Sequence, residues 1–188
     1  YDESSRLNRL VVELTDLARL QSGRFSMHLQ PINLSELTDA IGQRLAIVAR
    51  EKGLQFEVTT PPVPPVDGDG DRLAQVLTNL ISNALKYTPK GGTVKVMTGT
   101  QNNGVTLTVA DTGTGMPAEE LARIFERFYQ IDKARGPRRG NGLGLAIVAE
   151  IVHAHGGTIQ ASSGGDGQGA VFTVWLPVSA PHPPAKKR

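Results

Sequence analysis

Residues 93–111 read TVKVMTGTQNNGVTLTVAD, two runs in which apolar and polar side chains alternate on either side of an Asn102-Asn103 pair. Period-two alternation marks a half-buried strand, and a two-residue Asn linker suits the left-handed backbone of a tight hairpin turn. GTIQASS (157–163) and AVFTVWLP (170–177) form a second strand pair. LQFEVT (54–59) reads as another strand, and so do residues 25–29, where Phe25, Met27 and Leu29 alternate with polar neighbours. Helical spacing lies between them. A helix opens at Ser35 and Glu36 and stops at Gly53, and another runs from about Asp71 to Tyr87 before Pro89 and Gly91-Gly92. LARIFERF (121–128) reads as a short helix and NGLGLAIVAEIVHAHGG (141–157) as a long one, while PPVPP (61–65) is a stiff connector that no helix can cross. Strands joined by hairpins and mixed with helices, without strict βα alternation, predict an α/β two-layer sandwich: a mixed β-sheet covered on one face by helices.

An N-terminal helix is expected to accompany it. Leu7, Leu10, Val11, Leu14, Leu17 and Ala18 make one apolar stripe, ended by Gly23. Such a seam suits half of a longer hairpin or dimeric bundle, the other reading being a helix folded back on its own domain. The expected divisions are 1–23 for this helix, 24–178 for the main domain and 179–188 for a flexible tail.

At 188 residues the chain has room for one full domain and an appendage. With no Cys there is neither a disulfide framework nor a thiolate zinc site, and His28, His153, His155 and His182 are too scattered to form a ligand cluster. Any metal must use oxygen ligands. The net charge of +2 comes from the last eleven residues, which hold three cations and no acid; the rest carries 17 cations against 18 acids. A general nucleic-acid surface is therefore not expected. No apolar run is long enough to span a membrane and no secretion signal opens the chain.

Three segments carry chemistry. In the helix at 71–87, Leu73, Leu77, Leu80 and Ala84 share one face, while Gln75, Asn79, Asn83 and Lys86 fall within about 40° of one line on the other. Asn competes with backbone hydrogen bonds and is a poor mid-helix residue, so two of them one turn apart require a reason. Two amide oxygens can hold an oxygen-seeking cation and the ammonium can meet a phosphate, although a plain solvated face has the same appearance. In DTGTGMP (111–117), Asp111 at a strand end is an acceptor for an exocyclic amine, beside glycines that let a flat ring approach; an ordinary strand-to-helix turn is the alternative. GNGLGL (140–145) opens a helix after a loop with Lys133, Arg135, Arg138 and Arg139. Free amides at such an end cradle phosphate, and the basic loop suits a lid over it. The dinucleotide fingerprint fits poorly, because no strand precedes the glycines, and the Walker pattern is absent.

The order of these segments resembles the catalytic, ATP-binding domain of bacterial sensor histidine kinases, in the superfamily shared with type II topoisomerase and chaperone ATPases. NLISNALKYTP (79–89) resembles the N box, DTGTGMP the first glycine box, FERF (125–128) the F box, GNGLGL the second glycine box and GGDGQGAVFTVWLP (164–177) the closing segment. The likeness covers about residues 25–178, and RLNRLVVELTDLARLQSG (6–23) resembles the second helix of the family's dimerisation hairpin.

The resemblance implies ATP and Mg²⁺ as ligands. Asn83 would coordinate Mg²⁺, with Asn79 supporting metal and phosphates. Lys86 and Tyr87 would contact phosphate oxygens. Asp111 would accept from the adenine amine, Gly113 and Gly115 would admit the ring, and Gly140, Gly142, Leu143 and Gly144 would serve the phosphates. Phe125 and Phe128 would anchor the lid. Asn79 stands where the ATPase relatives have a glutamate that activates water; an amide cannot take that proton, which favours phosphoryl transfer over hydrolysis. The implied partners are the protein's own phosphoacceptor hairpin, a second copy in a homodimer and a response-regulator receiver domain. The implied location is cytoplasmic, in a parent that in this family is often anchored in a membrane.

Two departures stand out. No stretch here resembles the family's HELRTP-like acceptor pattern, so the chain is not expected to label itself. Gln130 occupies a position where many relatives have Arg after the Phe-Tyr pair, leaving Arg127, Lys133 or Arg135 as substitutes for a lid-to-γ-phosphate contact. The competing readings are a nucleotide-binding docking module without transfer activity and an ATP-hydrolysing clamp.

Overall fold

The computed structural model describes Thr15, residues 27–131 and residues 141–179. Apart from Thr15, which is helical, the expected N-terminal helix lies outside the described residues.

Five strands form one mixed sheet in the order β2-β4-β5-β7-β6, built from β2 (Gln55–Thr59), β4 (Thr93–Gln101), β5 (Gly104–Asp111), β6 (Thr158–Ser162) and β7 (Ala170–Pro177). The β4–β5 hairpin pairs Gln101 with Gly104 and Val94 with Asp111. Its turn residues Asn102 and Asn103 have φ of 49° and 55°, the left-handed conformation a two-residue hairpin needs. The β2–β4 pair is parallel, and every other pair in this sheet is antiparallel.

One face of the sheet is apolar. Val94 and Val96, Val105, Leu107 and Val109, and Phe172, Val174 and Leu176 are buried from alternate positions of three strands. Three helices cover that face: α1 (Leu34–Glu51), α2 (Gly70–Tyr87) and α3 (Gly144–Ala154). Leu73, Val76, Leu77, Leu80, Ile81 and Ala84 of α2 meet Ile147, Val148 and Ile151 of α3 in the same core. The other face stays polar, with Lys95 paired to Glu57 at 3.0 Å. This is the mixed sheet with one helical layer that the hairpins predicted.

Helix α2 carries the Asn79–Asn83 amide face, and both its ends are secured. Asp69 is its N-cap, the Oδ1 accepting from Asp71 N and Arg72 N at 3.1 and 3.2 Å. At the C-terminus Lys52 Nζ donates to the Leu85 carbonyl at 3.1 Å, and Thr88 Oγ1 donates to the Ala84 carbonyl at 2.7 Å. The Lys52 bond satisfies a carbonyl that the helix itself leaves open, and the Thr88 hydroxyl adds to the bond that Thr88 N already makes to Ala84 O.

Several local expectations are corrected. LARIFERF is not a regular helix but a chain of turns: Arg123 N and Ile124 N both bond to Glu120 O, and Glu126 N bonds back only three residues to Arg123 O. The run ends at Phe128, whose φ of 61° no helix accommodates. Of the strand expected over 25–29, residues 25 and 26 lie outside the described residues and Met27 to Leu29 are not part of a strand, which begins instead at β1 (Gln30–Ile32). It pairs with β3 (Val66–Gly68), a three-residue strand between the PPVPP connector and α2 that the sequence reading did not expect. The long helix begins at Gly144 rather than near Asn141. Ser179, first residue of the expected tail, donates from Oγ to Asp67 Oδ1 at 2.8 Å and from its backbone N to the Pro65 carbonyl at 3.0 Å.

Candidate functional site

The polar face of α2 divides on inspection. Gln75 accepts from Arg72 Nη1 at 2.9 Å within the helix. Asn79 reaches across to α3, its Nδ2 donating to the Gly144 carbonyl at 3.4 Å. Asn83 is half-buried, and its amide has no partner among the described residues. Lys86 Nζ lies 3.0 Å from the Tyr87 hydroxyl and 4.6 Å from the centre of that ring.

The last turn of α2 also holds the Asp111 loop. Thr114 N donates to the Tyr87 carbonyl at 3.2 Å, and a Cβ on Gly113 would lie 2.6 Å from that same oxygen. Only glycine fits there. Gly113 N donates to Asp111 Oδ1 at 2.8 Å. Burial pushes the Asp111 carboxyl above its ordinary value, and the neighbouring Gly113 and Ala170 N–H groups counter this in part. A carboxylate kept from bulk water at a strand end is a strong, directional acceptor for an amine.

At the third segment, Leu143 precedes α3 and offers no side-chain cap, which leaves the first amides of the helix without a side-chain acceptor. The Leu143 side chain is 0% exposed, so its part in binding is confined to the backbone. Gly142 has φ of 68° and accepts from Phe128 N at 2.9 Å. Phe128 itself is 60% exposed, whereas Phe125 packs against the core. Arg127 is paired with Glu150 of α3 at 3.5 Å. Gly140, Lys133, Arg135, Arg138 and Arg139 lie outside the described residues.

All three segments therefore meet α2: the glycine-opened end of α3 through Asn79, and the Asp111 loop through Tyr87. Sequence reading missed Ser163, whose hydroxyl ties the Asp111 loop to the β6–β7 loop. Nothing in a lone serine between a strand and a glycine-rich turn signals that role.

Whether the residues fit Mg²⁺ depends on the donor set. Among the described residues no group of three His, Cys, Asp or Glu side chains is placed to hold a metal. Asn83 with its unpartnered amide, and Asn79 with its Nδ2 already used, supply two neutral oxygens one helical turn apart. Mg²⁺ is commonly held by one or two protein oxygens completed by substrate phosphates and water. The set fits a metal–polyphosphate complex and not a bare ion.

A mixed sheet with helices on one face, and three polar or glycine-rich segments meeting at the central helix, define an α/β sandwich of two layers. Residues 68–180 match the family described as histidine kinase-, DNA gyrase B- and HSP90-like ATPase, more than half of the 188 residues, and the chain belongs to that family. The curated relatives it matches are histidine kinases. It is 39% identical over 180 residues to hybrid signal transduction histidine kinase D of Dictyostelium discoideum, covering 92% of this chain and 12% of that protein. Circadian input-output histidine kinase CikA of Synechococcus elongatus is 36% identical over 181 residues, covering 94% of this chain and 24% of CikA. Among solved structures, full-length ShkA in complex with AMPPNP superposes with a TM-score of 0.83 at 32% identity, covering 98% of this chain and 38% of ShkA. The chain thus spans under a quarter of the length of these two curated relatives. Among the described residues no helix is long and apolar enough to cross a membrane.

Proposed function

We propose that this domain binds Mg·ATP and transfers the γ-phosphoryl group to a histidine of a dimerisation hairpin, for onward transfer to an aspartate of a response regulator. Residues 1–23 would be the second helix of that hairpin, in a homodimeric parent. Asn83, supported by Asn79, would hold Mg²⁺, whose charge would offset that of the phosphates. Lys86 and Tyr87 would contact phosphate oxygens, the amides at Gly142, Leu143 and Gly144 would cradle them, and Asp111 would accept from the adenine amine with Gly113 and Gly115 admitting the ring. In the transfer the bond from the γ-phosphorus to its bridging oxygen breaks, a phosphorus–nitrogen bond forms on the imidazole, ADP leaves and the imidazole N–H proton is released. Such chemistry asks mainly for positioning and charge neutralisation, which a rigid amide face and a helix end provide.

The observation that carries this reading is the Asn79–Gly144 contact, which joins the amide face to the helix N-terminus. The test supplies an intact hairpin with its histidine and γ-labelled ATP. Acid-labile phosphate on the hairpin is the expected result. A hairpin that stays unlabelled while ATP binds overturns transfer and leaves a nucleotide-dependent docking module. Steady phosphate release by the chain alone would instead mark an ATP-hydrolysing clamp, against which the amide at Asn79 argues.

A further inference from the structure

The β6–β7 loop contains one hydroxyl that uses its full hydrogen-bonding capacity on backbone groups. Ser163 Oγ donates to the Gly169 carbonyl at 2.6 Å and accepts from Met116 N at 3.0 Å and Gly165 N at 3.2 Å. One donor and two lone pairs are all a serine has. Met116 belongs to the segment that begins with Asp111, while Gly165 and Gly169 belong to the loop opposite.

Two further bonds stitch those loops together, Gly169 N to Gly113 O at 3.1 Å and Gly167 N to Thr114 O at 2.7 Å. The approach is close enough that a Cβ on Gly169 would collide with the Asp111 carbonyl, and one on Gly115 with the Gly165 carbonyl. The Gly169 carbonyl that Ser163 holds belongs to the residue whose N–H donates to the Gly113 carbonyl, and Gly113 N is the donor to Asp111 Oδ1. Gly113 also lies in the loop that Ser163 grips through Met116 N. Both grips on the residue that donates to the carboxylate thus trace back to a single side chain.

We propose that Ser163 is a positioning residue for base recognition: acting through the Gly169 backbone, which is bonded to Gly113, and through Met116 N–H, its hydroxyl holds the Asp111 carboxylate where it accepts from a purine's exocyclic amine, and so sets the choice of adenine over an oxo-purine. The assignment rests on the proposed nucleotide-binding function. A carboxylate held in place rejects inosine, whose carbonyl oxygen would face it without a proton to share. A carboxylate free to turn away discriminates less.

The test is calorimetric titration of the full chain with ATP and with inosine triphosphate, for the parent and for Ser163→Ala, Ser163→Cys and Ser163→Thr. Cys keeps the volume while donating weakly, and Thr keeps the hydroxyl. The parent is expected to prefer ATP. Ala and Cys should lower that preference about tenfold, the scale of one hydrogen bond to a charged group, while Thr restores it. A merely structural role lowers both affinities together and leaves their ratio unchanged, which overturns the assignment while the nucleotide site stands. A parent chain that binds neither nucleotide overturns the site itself, and this assignment with it.

Discussion

The Asn79 side chain donates to the Gly144 carbonyl across 3.4 Å, joining residues 65 positions apart in the chain. Its amide nitrogen is spent on α3, so its oxygen is the atom left for a ligand. Asn83, one turn further along, has both atoms of its amide available. One helix face therefore presents oxygens beside the amides that open α3, and a metal bound there would be shared with whatever those amides hold.

Mg²⁺ binding should accordingly require a nucleotide. Two neutral oxygens without a carboxylate are a weak site for a strongly hydrated cation, and phosphate oxygens must complete the shell. Titration of the chain with Mg²⁺ alone should give no binding heat, and a non-hydrolysable ATP analogue should bind more tightly with Mg²⁺ than without. Asn83→Ala should remove that increment and leave metal-free binding nearly intact. Tight uptake of Mg²⁺ by the nucleotide-free chain would contradict this.

Asp111→Asn separates binding from stability. Replacing the acceptor places an amide where the base amine needs an anion, and ATP affinity should fall about 10- to 100-fold. Stability should not fall with it. Burial raises the Asp111 carboxyl above the ordinary 3.8, so the fold favours the protonated form. A raised value contributes stability below the unfolded-state pKa and loses it as pH rises through the folded one, so none remains at neutral pH. The melting temperature of nucleotide-free Asp111→Asn should equal or exceed that of the parent. For the parent, ATP affinity should decline on acidification from a pH above that at which an ordinary aspartate titrates. A variant that both melts early and binds poorly would mean that the carboxylate is structural.

The parts legible in the sequence are those written in local spacing. The β4–β5 alternation around Asn102-Asn103, the apolar stripe from Leu73 to Ala84 and the stops at Gly53 and Pro89 each rest on residues within a few turns of one another. β3 escaped notice because three residues flanked by prolines and glycines carry no periodicity, and only pairing with Gln30–Ile32 makes them a strand. LARIFERF has helical spacing, yet its end is set by Gly142, which draws Phe128 N out of register from a distant part of the chain. The amide pair, Asp111 and the glycines could be named as candidates because their residue types are unusual where they stand. Ser163 could not, since its role exists only once two loops are brought together.

Gly142→Ala should disturb fold and site together. A methyl group there would sit 2.6 Å from the Phe128 carbonyl carbon and 2.7 Å from the Tyr129 carbonyl oxygen, at a φ of 68° that disfavours any side chain. Strain of this kind costs about 1–3 kcal/mol. Urea unfolding should register that loss, and nucleotide affinity should drop because Phe128 must move from the end of α3. Gly99→Ala is the control, since its Cβ would meet nothing closer than Thr106 Oγ1 at 3.3 Å and its φ is not in the left-handed region. Equal urea midpoints for the two variants would show that the Phe128–Gly142 junction yields easily.

Asp69→Ala should destabilise α2 in a way that fades in acid. The Asp69 carboxylate caps α2 through Asp71 N and Arg72 N, and its Oδ2 also accepts from His28 N at 3.1 Å. Burial pushes this carboxyl up, but the N–H groups of His28, Arg72 and Asp71, together with the Arg72 guanidinium, outweigh it and hold the group below the ordinary 3.8. A lowered value contributes stability above the unfolded-state pKa and loses it as pH falls through the folded one. At neutral pH the variant should unfold about 1–2 kcal/mol more easily, the usual worth of an N-cap. Urea unfolding at pH 7 and at steps below pH 3.8 should show the gap between variant and parent narrowing. A gap that stays constant or widens in acid would mean that the cap is held by its geometry alone, with the carboxylate charge irrelevant to the helix that carries Asn79 and Asn83.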